Sequence, residues 1–327
     1  MKTVNWGIVA PGRIANKFAQ DLAKVPYAKL LAVSSRELPR AQEFAATYAV
    51  PHAYGSYEEM INCPGLDAVY IASPHTFHHE HTLLFLEAGI AVLCEKPFAM
   101  NGRLVEQMIA KAAEKKVFLM EALWSRFMPA TNKLLDLISS GVIGEVAGVK
   151  ADFGFNVPFD PTRRLFDKSL GGGALLDIGI YPLFLSYLLF GMPDSLKASA
   201  IMGATGTDLT TSMILTYEKK KFASLDCSYV IKTRLEACIF GEKGLIRMHP
   251  RWQDTKRITV EFYDGEIQTY DFDRDTWGYY HEIEEIGGCL REGKLQSETW
   301  SWDDSRNLIR LLDSVREEIG MKYEGFD

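Results

Sequence analysis

A doubly wound α/β domain followed by an α+β domain is the fold that the 327-residue sequence predicts. Three observations lead there. Up to about residue 122, short apolar runs alternate with amphipathic stretches, the pattern of a parallel sheet with helices on both faces. Two of the runs, "DAVYIAS" and "IAVLC", have no polar face, as strands buried on both sides require. From 195 to 272 the chain instead shows closely spaced segments of period-two alternation, the mark of antiparallel strands. The predicted domains are therefore 1–122 and 123–327, the second built on a large, mostly antiparallel open sheet.

In the first domain, apolar runs place strands at about 3–10, 29–34, 67–72, 91–94 and 117–120. Helical periodicity fills the intervals 13–24, 39–48, 76–88 and 101–115. A helix over about 129–140 and the strand "EVAGVKADFGFN" open the second domain. A glycine cluster then starts a long apolar helix, "GGGALLDIGIYPLFLSYLLF". The segments "LKASAIMG", "LTTSMILTYE", "KFASLDCSYV", "LEACIFGEKG", "RITVEFY" and "EIQTYDF" supply the sheet, with "EKKK" at 218–221 as a hairpin tip. Helices over about 277–292 and 303–320 close the chain.

Hydrophobic residues at 47% and charged residues at 24% are ordinary for a water-soluble globular protein. The formal charge of −7 and the lack of a basic block argue against nucleic acid or an anionic membrane as partner. Cys63, Cys94, Cys227, Cys238 and Cys289 are odd in number, scattered and without a C-x-x-C, which points to free thiols and a cytoplasmic location. No signal peptide is expected ahead of "TVNWGIVA", and the longest apolar stretch, "YPLFLSYLLFG", reads as about half a bilayer span.

The stretch "GIVAPGRIA" follows the first strand and opens a helix, the context of a dinucleotide fingerprint and hence of a Rossmann-type domain. Gly12 would let the backbone approach a pyrophosphate, and the helix start at Arg13 and Ile14 would offer free N–H groups. Ala10 stands where the first glycine is usual. At the end of the second strand an NAD site carries an acid for the ribose 2′-hydroxyl. Here the residues are Ser34, Ser35 and Arg36, with Arg40 one helical turn on. That set suits a 2′-phosphate, so NADP is expected ahead of NAD; the plainer reading pairs Arg36 with Glu37 or Glu43.

"SPHTFHHEH" follows the strand at 67–72. Ser73, Pro74, His75 and His78 are expected to line a cofactor cleft, with His79 and His81 facing solvent. The spacing is poor for zinc, and no metal is expected.

The strand "AVLC" stops abruptly at Glu95-Lys96-Pro97. A lysine at the carboxyl end of a parallel strand points into the ligand crevice, and the proline after it restricts its backbone. Glu95 is read as holding the turn. In the apolar helix, Asp177 and Tyr181 stand four apart on one face. A phenol there exchanges protons only if a cation lowers its pKa, and Lys96 is the candidate cation.

Together, "GIVAPGRIA", "CEKPFA", "GGGALLDIGIYP" and "MEALWSRFMP" resemble the Gfo/Idh/MocA oxidoreductases over essentially the whole chain. The branch resembled contains dimeric dihydrodiol dehydrogenases, NADP-dependent D-xylose dehydrogenases and glucose–fructose oxidoreductase. The resemblance assigns catalysis to Lys96 and Tyr181, matches Asp177, read here as a carboxylate that orients substrate, to the family's Asp on the same helix, and assigns cofactor selection to Ser35, Arg36 and Arg40. It places Trp124, Arg126 and Phe155 at the substrate pocket or the nicotinamide, and marks Arg164 as a recurrent arginine with no role assigned. Ala10 and His75 depart from the family's commoner Gly and Asn. It also implies a homodimer or homotetramer formed through the sheet of the second domain.

The activity this implies is transfer of a hydride between nicotinamide and a sugar, polyol or cyclic diol, with no metal. Two alternatives remain at this level: a regulator that senses NADP without turnover, and an oxidoreductase whose cofactor does not dissociate. Retention of Lys96 and Tyr181 argues against the first. The chain's start, close to its first strand, argues against the covering arm that the second would use. Trp252 and Trp277 are further aromatic candidates for the pocket, and neither the natural substrate nor the isomer of the Lys96–Pro97 bond is legible.

Overall fold

A computed structural model of the chain describes residues 3–327. The chain forms two compact units, Met1–Phe127 with Asp275–Arg306, and Met128–Arg274 with Asn307–Asp327. The first is built on six parallel strands, β1 (Val4–Val9), β2 (Ala28–Ser34), β3 (His52–Tyr54), β4 (Ala68–Ile71), β5 (Ala91–Glu95) and β6 (Leu119–Ala122). Their order, β3-β2-β1-β4-β5-β6, is the doubly wound arrangement, which places the ligand crevice at the strands' carboxyl ends beside the switch between β1 and β4. Strand β3 has only three residues and two of them are polar or aromatic with little apolar pattern, so periodicity does not reveal it.

The core of this unit is aromatic on one face of the sheet. Phe18 stacks on Tyr70 with ring centroids 3.8 Å apart, and Trp6 meets Phe18 edge-on at 5.6 Å. All three are fully buried. The segment Asp275–Arg306 belongs here, although the boundary read from sequence gives it to the second domain. The reason is local. The buried Asp21 carboxylate on the helix Arg13–Leu22 accepts from the N–H groups of Trp277 at 2.9 Å and Tyr279 at 2.8 Å. The Trp302 indole donates to Leu119 O at 2.9 Å.

The second unit carries eight strands: β7 (Val146–Gly154), β8 (Ser195–Met202), β9 (Asp208–Tyr217), β10 (Lys221–Ser228), β11 (Ala237–Gly241), β12 (Gly244–Met248), β13 (Arg257–Phe262) and β14 (Ile267–Asp271). The order is β14-β13-β12-β11-β7-β10-β9-β8, antiparallel throughout except for the β7–β10 pair. The sequence segment "LEACIFGEKG" runs into a tight hairpin, so β12 follows β11 after two residues and was not resolved as a strand of its own by pattern. Helical structure runs from Lys168 to Phe190, long and apolar enough to span a membrane. The run is not one continuous helix: the turn Lys168–Leu170 is followed by a break at Gly171–Gly173 before the π turn and the α-helix, and most of the run is buried inside the unit.

Candidate active site

In the first unit, the helix Arg13–Leu22 begins at Gly12, which has an extended backbone and no side chain to cap the helix. No acid occupies the first turn, and a Cβ at Gly12 would meet only Ala10 O, at 4.0 Å. The open N–H groups and the free approach fit a pyrophosphate. Ala10 adopts the left-handed conformation of the glycine it replaces, with φ +64°, at a cost of about 1–2 kcal/mol.

At the end of β2, Ser34 and Ser35 are buried; the Ser34 hydroxyl has no protein partner, and Ser35 Oγ accepts from Glu37 N–H at 3.2 Å. Arg36 and Arg40 are exposed, and among the described residues neither forms an ion pair. The pairing with Glu37 or Glu43 is therefore not made. Arg36 lies over the Phe77 ring at 5.6 Å. These residues offer hydroxyl and guanidinium donors at the end of β2, where a dinucleotide's ribose is held.

Beyond β4, His75 opens a single helical turn and His78 the helix His78–Glu87. His78 is fully buried, with Nδ1 2.8 Å from Pro97 O and Nε2 2.9 Å from Ser73 O. A neutral imidazole donates to one of these carbonyls, an imidazolium to both. His78 thus joins the Ser73 loop to the Pro97 turn. His81, expected at the surface, is buried against Tyr57 and Phe77, with Nδ1 3.0 Å from Ser73 Oγ. Burial, His78 and Arg36 push it down to about 4, so it stays neutral. His79 is half-buried. Among the described residues, no group of three His, Cys, Asp or Glu is placed to hold a metal ion.

The turn at Glu95-Lys96-Pro97 contains a cis Lys96–Pro97 bond. Glu95 is buried; it accepts the Tyr70 hydroxyl, and its Oε2 accepts Lys96 N–H at 3.2 Å. Burial and the adjacent Glu95 hold the Tyr70 phenol well above its ordinary pKa, so it serves as a donor. Lys96 is half-buried. Trp124 and Arg126 lie on the turn Trp124–Phe127 that follows β6; Trp124 packs 5.9 Å from Tyr279, and burial lowers the Arg126 pKa. Trp277 is exposed under Lys17.

In the second unit, Asp177 lies on a π-helical turn, Leu175–Gly179, and Tyr181 in the first turn of the α-helix Ile180–Phe190. The wider turn replaces the uniform α-helix expected; four residues still bring the two side chains to neighbouring faces. Asp177 accepts the Tyr229 hydroxyl at 2.7 Å and lies 3.3 Å from Arg164 Nη2. That gives Arg164 a partner in the site. Tyr229 is fully buried, and burial and Asp177 hold its pKa well above the ordinary phenol value. Tyr181 is buried, with Phe153 at 5.4 Å; Phe155 lies 6.1 Å from Phe153 and 5.4 Å from Tyr229. These rings wall one side of the Asp177–Tyr181 pair. Trp252 is fully buried with its indole donating to Asp152 O at 2.8 Å, so it is core and not pocket.

Matches to known proteins cover both units. Residues 4–123 match the model of the oxidoreductase family with an NAD-binding Rossmann fold, and residues 131–247 that of the GFO/IDH/MocA C-terminal domain. The chain belongs to the Gfo/Idh/MocA oxidoreductases. It is 36% identical over 331 residues to a trans-1,2-dihydrobenzene-1,2-diol dehydrogenase of Xenopus laevis, covering 97% of this chain and 98% of that one. The human protein of the same name is 34% identical over 334 residues, with 98% of each chain covered. Among solved structures, an aldose–aldose oxidoreductase of Caulobacter crescentus superposes with a TM-score of 0.88 at 22% identity, covering 97% of both chains. A levoglucosan dehydrogenase in complex with NADH and L-sorbose superposes at 0.89 with 19% identity, covering 98% of this chain and 97% of its own. As a Gfo/Idh/MocA member the protein is an oxidoreductase of the dehydrogenase/reductase type.

Sequence reasoning missed Tyr229, Phe153 and Asp208. The first two sit in ordinary strand patterns, and nothing in "DCSYV" or "ADFGF" distinguishes a hydroxyl or ring that serves the site. Asp208, the first residue of β9, is fully buried. Its Oδ2 accepts Leu175 N–H at 2.8 Å and the Thr211 hydroxyl at 2.7 Å, so it caps the helical run that carries Asp177 and Tyr181. Burial pushes its carboxyl up to about 6. The unfolded chain gives up this proton first, so the group's contribution is complete below about pH 4 and is lost as pH rises through about 6. Asp208→Asn keeps an acceptor and removes the charge. Urea unfolding should show the variant gaining on the parent protein above pH 6, by no more than about 3 kcal/mol, and converging with it near pH 4. A gap that does not change with pH would contradict this.

Proposed function

We propose that the protein is an NADP-dependent dehydrogenase or reductase acting on a secondary hydroxyl of a sugar, polyol or cyclic diol, in the cytoplasm, with a freely exchanging cofactor. The observation that carries the chemistry is the buried Tyr181 phenol beside a carboxylate, Asp177, that Arg164 and Tyr229 hold in place. The observation that favours NADP is the pair of exposed arginines without ion-pair partners, Arg36 and Arg40, where an NAD site carries an acid. The near full-length similarity to enzymes named for a cyclic diol supports the substrate class.

The backbone N–H groups after Gly12 would bind the pyrophosphate, and Ser34, Ser35, Arg36 and Arg40 the 2′-phosphate. When bound, the nicotinamide supplies or accepts the hydride. Tyr181 takes the proton from the reacting hydroxyl in oxidation and returns it in reduction. Lys96, which the family resemblance assigns to catalysis, is the cation proposed to assist that proton transfer. Asp177 orients the substrate by accepting from a neighbouring hydroxyl, which a vicinal diol provides. The rings of Phe153 and Phe155 pack against the apolar face of a carbocycle or sugar. Apolar side chains exposed on the second unit, among them Ile201, Ile214 and Phe222, support assembly of a dimer or tetramer through its sheet.

Cofactor choice is tested by titrating parent and Arg36→Ala with NADP and NAD. The parent should prefer NADP, and the variant should lose about tenfold or more in NADP affinity with little change for NAD, the cost of a charged hydrogen bond. Equal parent affinities would contradict the assignment. The chemistry is tested with NADP and trans-1,2-dihydrobenzene-1,2-diol, followed by a panel of aldoses and polyols. Tyr181→Phe should lower turnover by roughly 10²–10⁴ while NADP still binds. Lys96→Met should lower it too, and move the tyrosine's ionisation to higher pH. Full turnover in either variant would remove that residue from the mechanism, and a parent that binds NADP but turns over none of the panel would favour a sensor.

A further inference from the structure

Lys96 reaches its position through a turn whose backbone is held from beneath by more than Glu95. Proline has no N–H, so the turn offers two amide donors, Lys96 and Phe98. The first ends on Glu95 Oε2 at 3.2 Å. The second ends on Glu121 Oε1 at 3.0 Å. Glu121 lies on β6, one strand over, where it pairs with Cys94 in the sheet register and is 2% exposed. Its Oε2 accepts the Trp300 indole N–H at 3.2 Å, and the Ser305 hydroxyl also bonds to it. With three protein donors converging on it, this carboxyl group is fixed in position.

We propose that Glu121 is a positioning residue for the reaction: its carboxylate pins the Phe98 amide, and through it the Lys96-Pro97 turn, so that the lysine ammonium is presented in one direction. This rests on Lys96 having the role given above. A protonated Glu121 gives up part of its acceptor capacity to its own O–H. Burial, and more weakly Glu95 on the neighbouring strand β5, raise its carboxyl to about 7 against the opposing hydrogen bonds from Ser305, Trp300 and Phe98. The ionised form therefore prevails on the alkaline side of neutrality, and the lysine is best held there. Two substitutions separate this from a merely structural role. Trp300→Phe removes one donor from the carboxylate and leaves the Phe98 bond intact. Glu121→Gln keeps the shape and abolishes the titration.

With saturating NADP and trans-1,2-dihydrobenzene-1,2-diol, the pH profile of kcat should show an acid limb near 7 in the parent protein. Trp300→Phe should move that limb upward by about one pH unit, through loss of a bond to the charged form, with the plateau kept within about twofold. Glu121→Gln should erase the limb and lower the plateau about tenfold, with NADP affinity by fluorescence titration kept within about twofold. A limb that stays in place in Trp300→Phe overturns the proposal, and this outcome decides it even where Glu121→Gln does not fold. Folded Glu121→Gln with the parent's plateau and limb overturns it as well. Lys96→Met, measured alongside, separates the two levels: if it keeps full turnover, the reading of Lys96 fails, whereas its loss beside an unaltered Glu121→Gln contradicts only the role of Glu121.

Discussion

Two buried carboxylates, Glu95 and Glu121, hold the amide groups on either side of Pro97. Much of the first unit's architecture serves that arrangement. The carboxylates sit on adjacent parallel strands, so the sheet register fixes their spacing. Tyr70 on β4 supplies a hydroxyl to Glu95, and Trp300, on the returning segment, supplies an indole N–H to Glu121. His78 closes the frame from above by contacting Pro97 O. Each polar group is buried and hydrogen-bonded, which makes the turn costly to deform. A lysine stem leaving such a turn has little freedom at its base.

The second unit solves a parallel problem with a helix. Asp177 and Tyr181 straddle the junction of a π turn and an α-helix, whose start is capped by Asp208 from the sheet. Asp177 is then held by a buried phenol and a guanidinium. A further tie comes from the C-terminal segment, where the buried Tyr323 hydroxyl donates to Gly172 O at 2.7 Å. In both units, buried acids serve as acceptors for the backbone that carries the side chains proposed for the chemistry, Lys96 and Tyr181.

The parallel sheet, the antiparallel sheet and most helices were legible because burial imposes a period on apolar residues. Strands β3 and β12 were not, being a three-residue edge strand and the second arm of a tight hairpin. The positions of Lys96, Asp177 and Tyr181 could be read because polar residues interrupt apolar runs there. Residues that support them from other strands, Glu121, Asp208 and Tyr229, gave no such signal: a strand's pattern does not tell which distant backbone its side chain will meet. Glu121 in "LMEALW" interrupts an apolar run just as Glu95 does, but the run does not tell that its carboxylate meets the Phe98 amide. His81 was misplaced for a related reason, since its burial depends on Tyr57 and Phe77 closing over it. The return of Asp275–Arg306 to the first unit depends on Asp21, a helix acid that composition alone marks as solvated.

The claim that the turn is locked by buried acceptors is tested most directly by amide hydrogen exchange, followed residue by residue by NMR on deuterated protein. The Phe98 amide, with its partner on Glu121, should exchange as slowly as the neighbouring strand amides of Val92 to Cys94, through large-scale opening only. Exchange of Phe98 at the rate of an exposed loop, while those strand amides remain protected, would show that the turn is free and contradict the account.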